Sequence, residues 1–471
     1  MVRLTGLLLI SLGWQFSQAQ SDWTLQRAID HALQNNITIK QGQLTVANNK
    51  LNYIQSKEAL LPSVSGFANH NFSFGRNINP VNNSYVQQNV QSSQFGISSQ
   101  VVLFNGLQNT NNIKLNKLNS EVSAKDLEVI SNTISLQIAT QFLQILFNSE
   151  TVKTYEMAIT STEKQLERAN ILFQAGNTNQ SSVFEMEAKL ASDKLNLVTA
   201  QNNHRLSLVS LANLLQVPFD ETFKIESPQV GIPEEVILEG TASIYDKASK
   251  IMPEVELSIL RYKASLMQQT ISKGNYSPTL SLNANVSTLF SDNFKDVINP
   301  YTTIVPIGYV QTTNDVVLSQ GFGYYGTKTR PFSNQVNDNL GKSIGFSLNV
   351  PIYSNGRTRT SVKQAELATE QQKLNMLKTK NELYTSVATA LANYTGAKAK
   401  FNALTEALNS QKKNYEFNKV RFDAGALSSM DLVISQTNYE TAEANLLQGK
   451  YDLVFRKVLL DFYRGKPLVL K

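Results

Sequence analysis

The sequence predicts a mixed α and β membrane protein in which one plan of strands and long helices occurs twice. In residues 343–352, apolar side chains alternate with small or polar ones, a period of two that is typical of a strand with one apolar face. After Asn355-Gly356 the apolar residues recur three or four positions apart as far as Ala424, and no proline interrupts them. This spacing predicts a helix of about seventy residues, roughly 100 Å long.

The same order of strand, turn and long helix occurs earlier in the chain, beginning at Gln94. The earlier strand pattern ends in Phe104-Asn105-Gly106, which corresponds to Tyr353-Ser354-Asn355-Gly356. The two long helices end in the similar stretches Leu172-Phe173-Gln174-Ala175-Gly176 and Arg421-Phe422-Asp423-Ala424-Gly425, and a second helix follows each glycine. A repeat of this length predicts a duplicated architecture.

We therefore divide the chain into a first repeat at residues 20–240 and a second repeat at residues 241–471. Residues 1–19 have the pattern of a secretory signal peptide: Arg3 precedes the apolar run at 7–12, and small residues precede a cleavage site after Ala19. The apolar run is too short to span a bilayer. A buried N-terminal helix is the alternative interpretation of this segment.

The first repeat contains helices, two strands and a long helical hairpin. Apolar residues at helical spacing predict two helices before Pro62, and alternation predicts strands at 63–74 and from Gln94 to Phe104. Residues 75–92 are rich in Asn and Gln and are predicted to form an exposed loop. Ser182-x-x-Glu185 resembles a capping box at the start of the return helix, which Val217-Pro218 ends.

The second repeat follows the same plan with a longer outer loop. A helix is predicted over 244–273 with a break near Pro253, and strict alternation after Pro278 predicts a strand. Residues 290–342 are predicted to be a loop rich in aromatic residues, among them Tyr301, Tyr309, Phe322, Tyr324, Tyr325 and Phe332, and the strand at 343–352 follows it. The second long helix and its return helix then extend to about Arg464.

Each predicted strand has about ten residues, the length that crosses a bilayer when tilted. Four strands cannot close a barrel, and an open sheet edge is not stable in lipid. Three copies of the chain would supply twelve strands, an even number within the range of outer-membrane barrels. The fold class is therefore a homotrimeric 12-stranded β-barrel with four strands per chain. A long periplasmic α-helical barrel, packed through the apolar stripes, would continue it.

Composition argues against several classes of function. The formal charge of +6 is spread along the chain without a basic patch, so we predict no nucleic-acid binding. The absence of cysteine excludes disulfides and thiolate metal sites. His31, His70 and His204 are far apart and form no metal-ligand pattern. We therefore predict no metal.

Two short motifs suggest chemistry but lack the context for it. The stretch from Gly321 to Gly326 matches the spacing of a dinucleotide fingerprint without a strand-to-helix turn. The Ser-x-x-Lys pairs at Ser161 and Ser410 lie within the long helices and have no companion motif. The sequence therefore predicts no enzyme activity and no cofactor.

The duplicated plan and the order of its short motifs resemble the TolC-like outer-membrane efflux protein family. The matching motifs are Leu61-Pro62-Ser63-Val64, Leu103-Phe104-Asn105-Gly106, the two stretches that end at Gly176 and Gly425, and Leu211-Ala212-Asn213-Leu214-Leu215. This resemblance implies a homotrimeric channel in the outer membrane, surrounded by outer-membrane lipid, with its helical part in the periplasm. It also implies a periplasmic adaptor protein and an inner-membrane pump as partners.

The resemblance also implies which residues form the periplasmic entrance. The tips of the two helical hairpins would contact the adaptor through Phe173, Gly176, Phe422 and Gly425. An acidic residue six positions after the second glycine lines the constriction in family members, and Asp431 has that position here. A second acid three residues later is replaced by Ile434.

Phe422 and Leu427 occupy the positions of a tyrosine and an arginine that hold the entrance closed in family members. Neither side chain hydrogen-bonds or carries charge, so the chain departs from the family at this latch. Ser428-x-x-Asp431 is also a helix-capping arrangement, which would place the acid favourably in the first helical turn.

The leading functional prediction is therefore the outer-membrane channel of a tripartite efflux system, a passive export duct from periplasm to exterior. The first alternative is the outer-membrane component of a type I protein secretion system. A second alternative, from another class, is a periplasmic coiled-coil scaffold or adhesin, which predicts no membrane strands.

Overall fold

The computed structural model describes residues 22–78, 83–87, 89–220, 222–226, 231–232 and 237–468. The predicted signal peptide at 1–19 lies outside the described residues. Two short helices, α1 (Leu25–Asn35) and α2 (Ile37–Glu58), begin the described chain. Thr24 caps α1 by accepting a hydrogen bond from the Arg27 backbone N–H, and four apolar or small residues at helical spacing bury one face of α1.

The two long helices are α3 (Gln108–Gln174) and α8 (Arg357–Asp423), each of 67 residues. Their return helices are α4 (Gln180–Leu215) and α9 (Ser429–Tyr463). We call α3 with α4 the first hairpin, and α8 with α9 the second hairpin. The predicted duplication of long helix, turn and return helix is therefore confirmed.

The predicted break near Pro253 is also confirmed. Helix α5 (Thr241–Ile251) ends before Met252, and α6 (Pro253–Lys273) begins at the proline. Proline suits the first position of a helix, because the backbone N–H that it lacks would have no intrahelical partner there.

Four antiparallel strands form the main sheet: β1 (Ser63–Ser73), β4 (Val90–Phe104), β5 (Thr279–Ser291) and β8 (Gly341–Asn349). Their order is β1-β4-β5-β8, so β1 and β8 are the edges. These four strands correspond to the four predicted ones, and two come from each repeat.

The register of the sheet separates its side chains into two faces. Val101, Leu282 and Phe346 are paired across three strands on one face, which is largely apolar. Gln100, Asn283 and Gly345 are paired on the other face, which is rich in Ser, Asn, Gln and Gly. Among the paired residues, no Asp, Glu, Lys or Arg lies on this polar face.

The structure corrects the prediction of a loop at 290–342. This segment contains two paired strands, β6 (Lys295–Tyr309) and β7 (Val316–Thr329), followed by the short helix α7 (Phe332–Asp338). Prolines and glycines interrupt the alternation of apolar residues in both strands and made the pattern resemble a loop.

The loop predicted at 75–92 also contains strands. It contains the short antiparallel pair β2 (Arg76–Ile78) and β3 (Tyr85–Gln87), and its last residues belong to β4.

The chain forms two compact units, and each takes segments from both repeats. One unit comprises residues up to 49, 118–263 and 370–471, and the other comprises residues 50–117 and 264–369. The first unit is helical, and its core includes the fully buried Phe142 and Leu211 in one cluster and Val387 and Leu460 in another. The second unit contains all the strands named above.

In the part of the chain that the structure describes, no helix has both the length and the apolar character required to cross a membrane.

Candidate functional site

The tips of the two helical hairpins hold all the site residues that the sequence analysis named. Gly176 and Gly425 follow the ends of α3 and α8 with φ values of +73° and +72°. Each donates its backbone N–H to the carbonyl of the phenylalanine three residues earlier, at 2.9 Å. The next residue in each turn donates to the carbonyl five residues earlier, which completes a Schellman motif. A Cβ at either glycine would meet no atom within 4 Å. These positions therefore favour glycine for its backbone conformation and not for space.

The two return helices have different caps. At the start of α9, Ser428 Oγ accepts a hydrogen bond from the Asp431 backbone N–H at 3.2 Å and donates to Asp431 Oδ2 at 2.7 Å. The capping arrangement predicted there is confirmed. At the start of α4 the predicted capping box is wrong, because the cap is Asn179, whose Oδ1 accepts from the Ser182 backbone N–H and Oγ–H.

An apolar cluster joins the two hairpins just behind the turns. We call it the tip cluster; its buried members are Ala169, Val183, Met186, Phe422 and Leu432, and Leu427 packs against it. Phe422 is only 7% exposed, whereas its counterpart Phe173 is 40% exposed. Phe422 and Leu427, which the sequence analysis predicts at the latch positions, therefore make apolar contacts within one chain.

Two polar contacts near the turns also connect the hairpins. Arg168 on α3 contacts Asp423 at the end of α8, with Nε 3.0 Å from the carboxylate and Nη2 3.0 Å from the backbone carbonyl. Ser429 Oγ donates to Glu185 Oε2 at 2.6 Å. Sequence reasoning missed the Arg168–Asp423 contact, because partners 255 positions apart leave no local pattern.

Asp431 is exposed at this end of the second hairpin, and Ile434 is exposed one turn further along α9. The carboxylate of Asp431 accepts a hydrogen bond from Ser428 of its own hairpin. This placement leaves Asp431 accessible from outside the single chain.

Farther from the turns, a buried cluster of polar side chains connects the two hairpins. We call it the Lys189 cluster; its members are Thr162, Lys189, Asp193, Gln436 and Glu440. Lys189 Nζ lies 2.6 Å from Asp193 Oδ1 and 2.5 Å from Glu440 Oε2. Thr162 donates to Asp193 Oδ2 at 2.8 Å, and Gln436 donates to Thr162 at 3.0 Å and to Glu440 at 2.7 Å.

Burial and charge act in opposite directions on Lys189. Desolvation alone would lower its pKa, but the hydrogen bonds to Asp193 and Glu440 more than offset this and raise the pKa of Lys189 above its usual value. The side chain of Asp193 is 1% exposed, so the Lys189 ammonium and the Thr162 hydroxyl take the place of water around its carboxylate. The contact between Lys189 and Asp193 could be predicted from the sequence, because residues four apart are neighbours on a helix. The contact between Lys189 and Glu440 could not, because no local pattern connects these two residues.

Two tyrosines stack within the second hairpin, and one of them also contacts the first hairpin. Tyr415 of α8 and Tyr439 of α9 stack with ring centroids 5.6 Å apart and an angle of 5° between the planes. Gln165 Nε2 on α3 donates to the Tyr415 hydroxyl at 2.9 Å. Burial raises the pKa of the nearby Glu443 carboxyl.

The motifs that suggested chemistry have structural roles. Gly321 to Gly326 lies inside β7 and not at a strand-to-helix turn, so it has no phosphate-binding geometry. Ser161 lies on α3, where its hydroxyl contacts the Gln165 amide. Among the described residues, no group of three or more His, Asp or Glu side chains is arranged to hold a metal ion.

Most of the chain matches a known protein family. Residues 28–216 and 315–465 match the family described as outer membrane efflux protein. The chain is 20% identical over 402 residues to outer membrane protein TolC of Vibrio cholerae, which covers 85% of this chain and 81% of that protein. It is 21% identical over 436 residues to toxin and drug export protein A of Aggregatibacter actinomycetemcomitans, covering 92% and 84% of the two chains.

A solved structure shares the fold. The outer membrane protein VceC of Vibrio cholerae superposes with a TM-score of 0.75 at 13% identity, covering 94% of this chain and 97% of that one.

Proposed function

The chain belongs to the outer membrane efflux protein family, and from this premise we propose that three copies form the outer-membrane channel of a tripartite export system. It is an outer-membrane protein and a transport duct, as predicted. The proposal includes a trimer that closes a barrel, and an adaptor and a pump that would deliver substrate and energy.

The observation that carries the proposal is the open four-stranded sheet with two different faces. Its edges, β1 and β8, have no further strand partner among the described residues. An apolar face suits lipid, and an uncharged polar face suits a water-filled lumen. Because an open edge is not stable in lipid, the sheet requires strands from other copies, and three copies would give the twelve strands of a closed barrel. The same sheet argues against the coiled-coil scaffold, which predicted no membrane strands.

The hairpin tips would form the periplasmic entrance of this channel. Within one chain, the tip cluster, the Arg168–Asp423 contact and the Lys189 cluster hold the two hairpins together. Opening requires neighbouring hairpins to move, so these contacts would set how readily the entrance opens. Phe173, exposed beside Gly176, would be available to the adaptor.

Asp431 would line this entrance. In a trimer, three exposed copies of this carboxylate would lie around one axis and attract cations. Its bond to Ser428 fixes the side chain in the first turn of α9.

Reconstitution tests the proposal. The purified chain, extracted from outer membranes in detergent, should have the mass of a trimer, and it should produce discrete conductance steps in planar bilayers. As a control, Phe346→Asp places a charge on the apolar face and should prevent insertion. A soluble monomer without conductance would contradict the proposed channel.

A further inference from the structure

The β6–β7 hairpin has no assigned role in the proposed channel. Its strands pair antiparallel from Lys295–Thr329 to Tyr309–Val316 and form a separate two-stranded sheet. A two-stranded sheet is at best marginally stable in water by itself. Its strands are also longer than the ten residues that cross a bilayer.

The base of this hairpin is firmly attached to the main sheet. The Gln335 side chain on α7 is fully buried and bonds to both the backbone N–H and the carbonyl of Ser291, at 2.9 and 3.0 Å. The Arg330 backbone N–H donates to the Phe294 carbonyl at 2.8 Å. Phe332 contacts Phe290, with ring centroids 5.3 Å apart. The hairpin therefore leaves the end of the β5–β8 pair in a defined direction.

On one face of the hairpin, two side chains of β6 cover two glycines of β7. Tyr301 lies over Gly323, where a Cβ would come within 2.5 Å of the ring, and its ring centroid is 4.9 Å from that of Tyr325. Val305 covers Gly321 in the same way, with a Cγ 2.7 Å from the position of a Cβ. Glycine at these two positions lets larger neighbours pack flat on the strand.

The opposite face carries large apolar side chains that nothing in the described chain covers. The register places Ile298, Ile304, Leu318, Phe322 and Tyr324 on this face, and we call them the apolar ridge. Phe322 is 84% exposed, and every other member is also exposed. Between Val297 and Thr327 the only charged residue is Asp315. A contiguous apolar surface of this kind marks an interface.

We propose that the apolar ridges of three copies pack against one another beyond the sheet and form a collar around the outer mouth of the channel. This inference rests on the proposed trimer. The hairpin returns through α7 to β8, the edge strand that would pair with the next copy in that trimer. The ridge is thus continuous with the proposed interface between copies.

Dimensions support contact between the copies. Twelve strands about 4.8 Å apart and tilted by about 40° would enclose a cylinder roughly 25 Å across. Strands of 15 and 14 residues at about 3.3 Å per residue extend roughly 45 Å, so the hairpin is long enough to reach the axis of such a cylinder. Their attachment to one barrel also keeps the local concentration of ridges at about the millimolar level.

The lack of charge favours a second copy over other occupants. Identical ridges with no charged residue do not repel one another when they meet around an axis. A phosphate-bearing lipid headgroup or a charged partner would find no ion-pairing group on the ridge. Both of these remain outcomes of the test below.

Cysteine cross-linking tests the collar directly, because the chain contains no native cysteine. In outer membranes treated with a short bismaleimide, Phe322→Cys should give covalent dimers of the chain. Tyr325→Cys is the matched control, since this residue is 79% exposed but lies on the opposite face. We expect roughly tenfold more dimer from Phe322→Cys, because only residue 322 would face another copy at the millimolar effective concentration within the trimer.

Three results would overturn the collar, and each is distinct from failure of the channel. Equal yields from the two variants would show that the ridge does not face another copy. Cross-linking of Phe322→Cys to a protein of different mass would assign the ridge to another partner. A bimane label at residue 322 whose emission shifts to the blue only when lipid is present would assign it to the membrane. In each case the mass and conductance of the trimer report independently on the proposed channel.

Discussion

Lys189 on α4 and Glu440 on α9 form an ion pair of 2.5 Å that connects the first hairpin to the second. The same ammonium group also contacts Asp193 on its own helix. One ammonium group is therefore paired with two carboxylates in a largely buried position. Removal of one partner from such a group leaves uncompensated charge, which costs more than the pair itself contributes.

We expect Lys189→Met to weaken the helical unit by about 3 kcal/mol, at the low end for buried pairs because Glu440 retains some exposure. The measurement is the denaturant midpoint followed by helical circular dichroism in detergent. Lys194→Met, at an exposed position on the same helix, is the control and should change little. Adding Asp193→Asn and Glu440→Gln to Lys189→Met should recover part of the loss. Equal midpoints for the two single variants would contradict the role of the Lys189 cluster.

Acid should destabilise the same unit through His204 on α4. Burial lowers the pKa of His204 below its usual value, while a bond to the Ile145 backbone opposes the shift. Its Nδ1 atom is buried without a hydrogen-bond partner in the described chain. The unfolded chain therefore binds the proton more readily than the folded one. Stability from this group is fully present above about pH 6.5 and is lost as the pH falls below that value.

The midpoint of unfolding, measured between pH 7.5 and pH 5, should show this decrease. His204→Phe should flatten the part of the profile that begins near pH 6.5. If both proteins gave the same profile, other groups would account for the acid sensitivity.

The glycines of the two turns should be sensitive to substitution in spite of their open surroundings. Gly425→Ala should cost about 1 kcal/mol, because a Cβ is disfavoured at positive φ. Hydrogen exchange of the backbone amides in the turn would measure the loss. Gly396→Ala, in the interior of α8 with equal space, should be neutral or stabilising. Equal protection in both variants would show that the turn tolerates alanine.

The long helices and their return helices were predictable because apolar spacing is a local property of the chain, whereas the short helix α7 was not predicted. Apolar spacing gave the long helices, and Pro62 and Pro253 gave two of their boundaries. The β6–β7 strands were not predictable, because Gly321 and Gly323 interrupt the alternation of apolar residues. Only the structure shows that these glycines leave space for the side chains of Val305 and Tyr301. The contacts between the hairpins depend on partners about 250 positions apart, which a single sequence does not reveal.

Asp431 should control the ion selectivity of the proposed channel. Three carboxylates at the proposed entrance would favour cations, so Asp431→Asn should reduce the cation-to-anion permeability ratio measured by single-channel recording. Asp431→Glu retains the charge and should retain most of the ratio. Since Asp431 also contacts Ser428, Ser428→Ala is needed to separate capping from selectivity: it should weaken the start of α9 without changing the ratio. Unchanged selectivity in Asp431→Asn would remove this residue from the pore.

The Arg168–Asp423 contact should hold the entrance closed in place of the family's tyrosine and arginine. Both side chains are partly exposed, so the pair contributes less than about 1 kcal/mol to stability. Its effect should therefore appear in conductance and not in unfolding. Arg168→Ala should raise the fraction of time that the channel is open by up to about fivefold, which corresponds to about 1 kcal/mol.

Asp423→Ala should have a smaller effect, because the backbone carbonyl of residue 423 remains available to Arg168. The double variant should resemble Arg168→Ala alone, since both changes remove the same contact. Arg205→Ala, at an exposed position on α4, serves as the control for loss of one positive charge. Fully additive effects of the two changes, or an equal increase in Arg205→Ala, would show that the contact does not act as a latch.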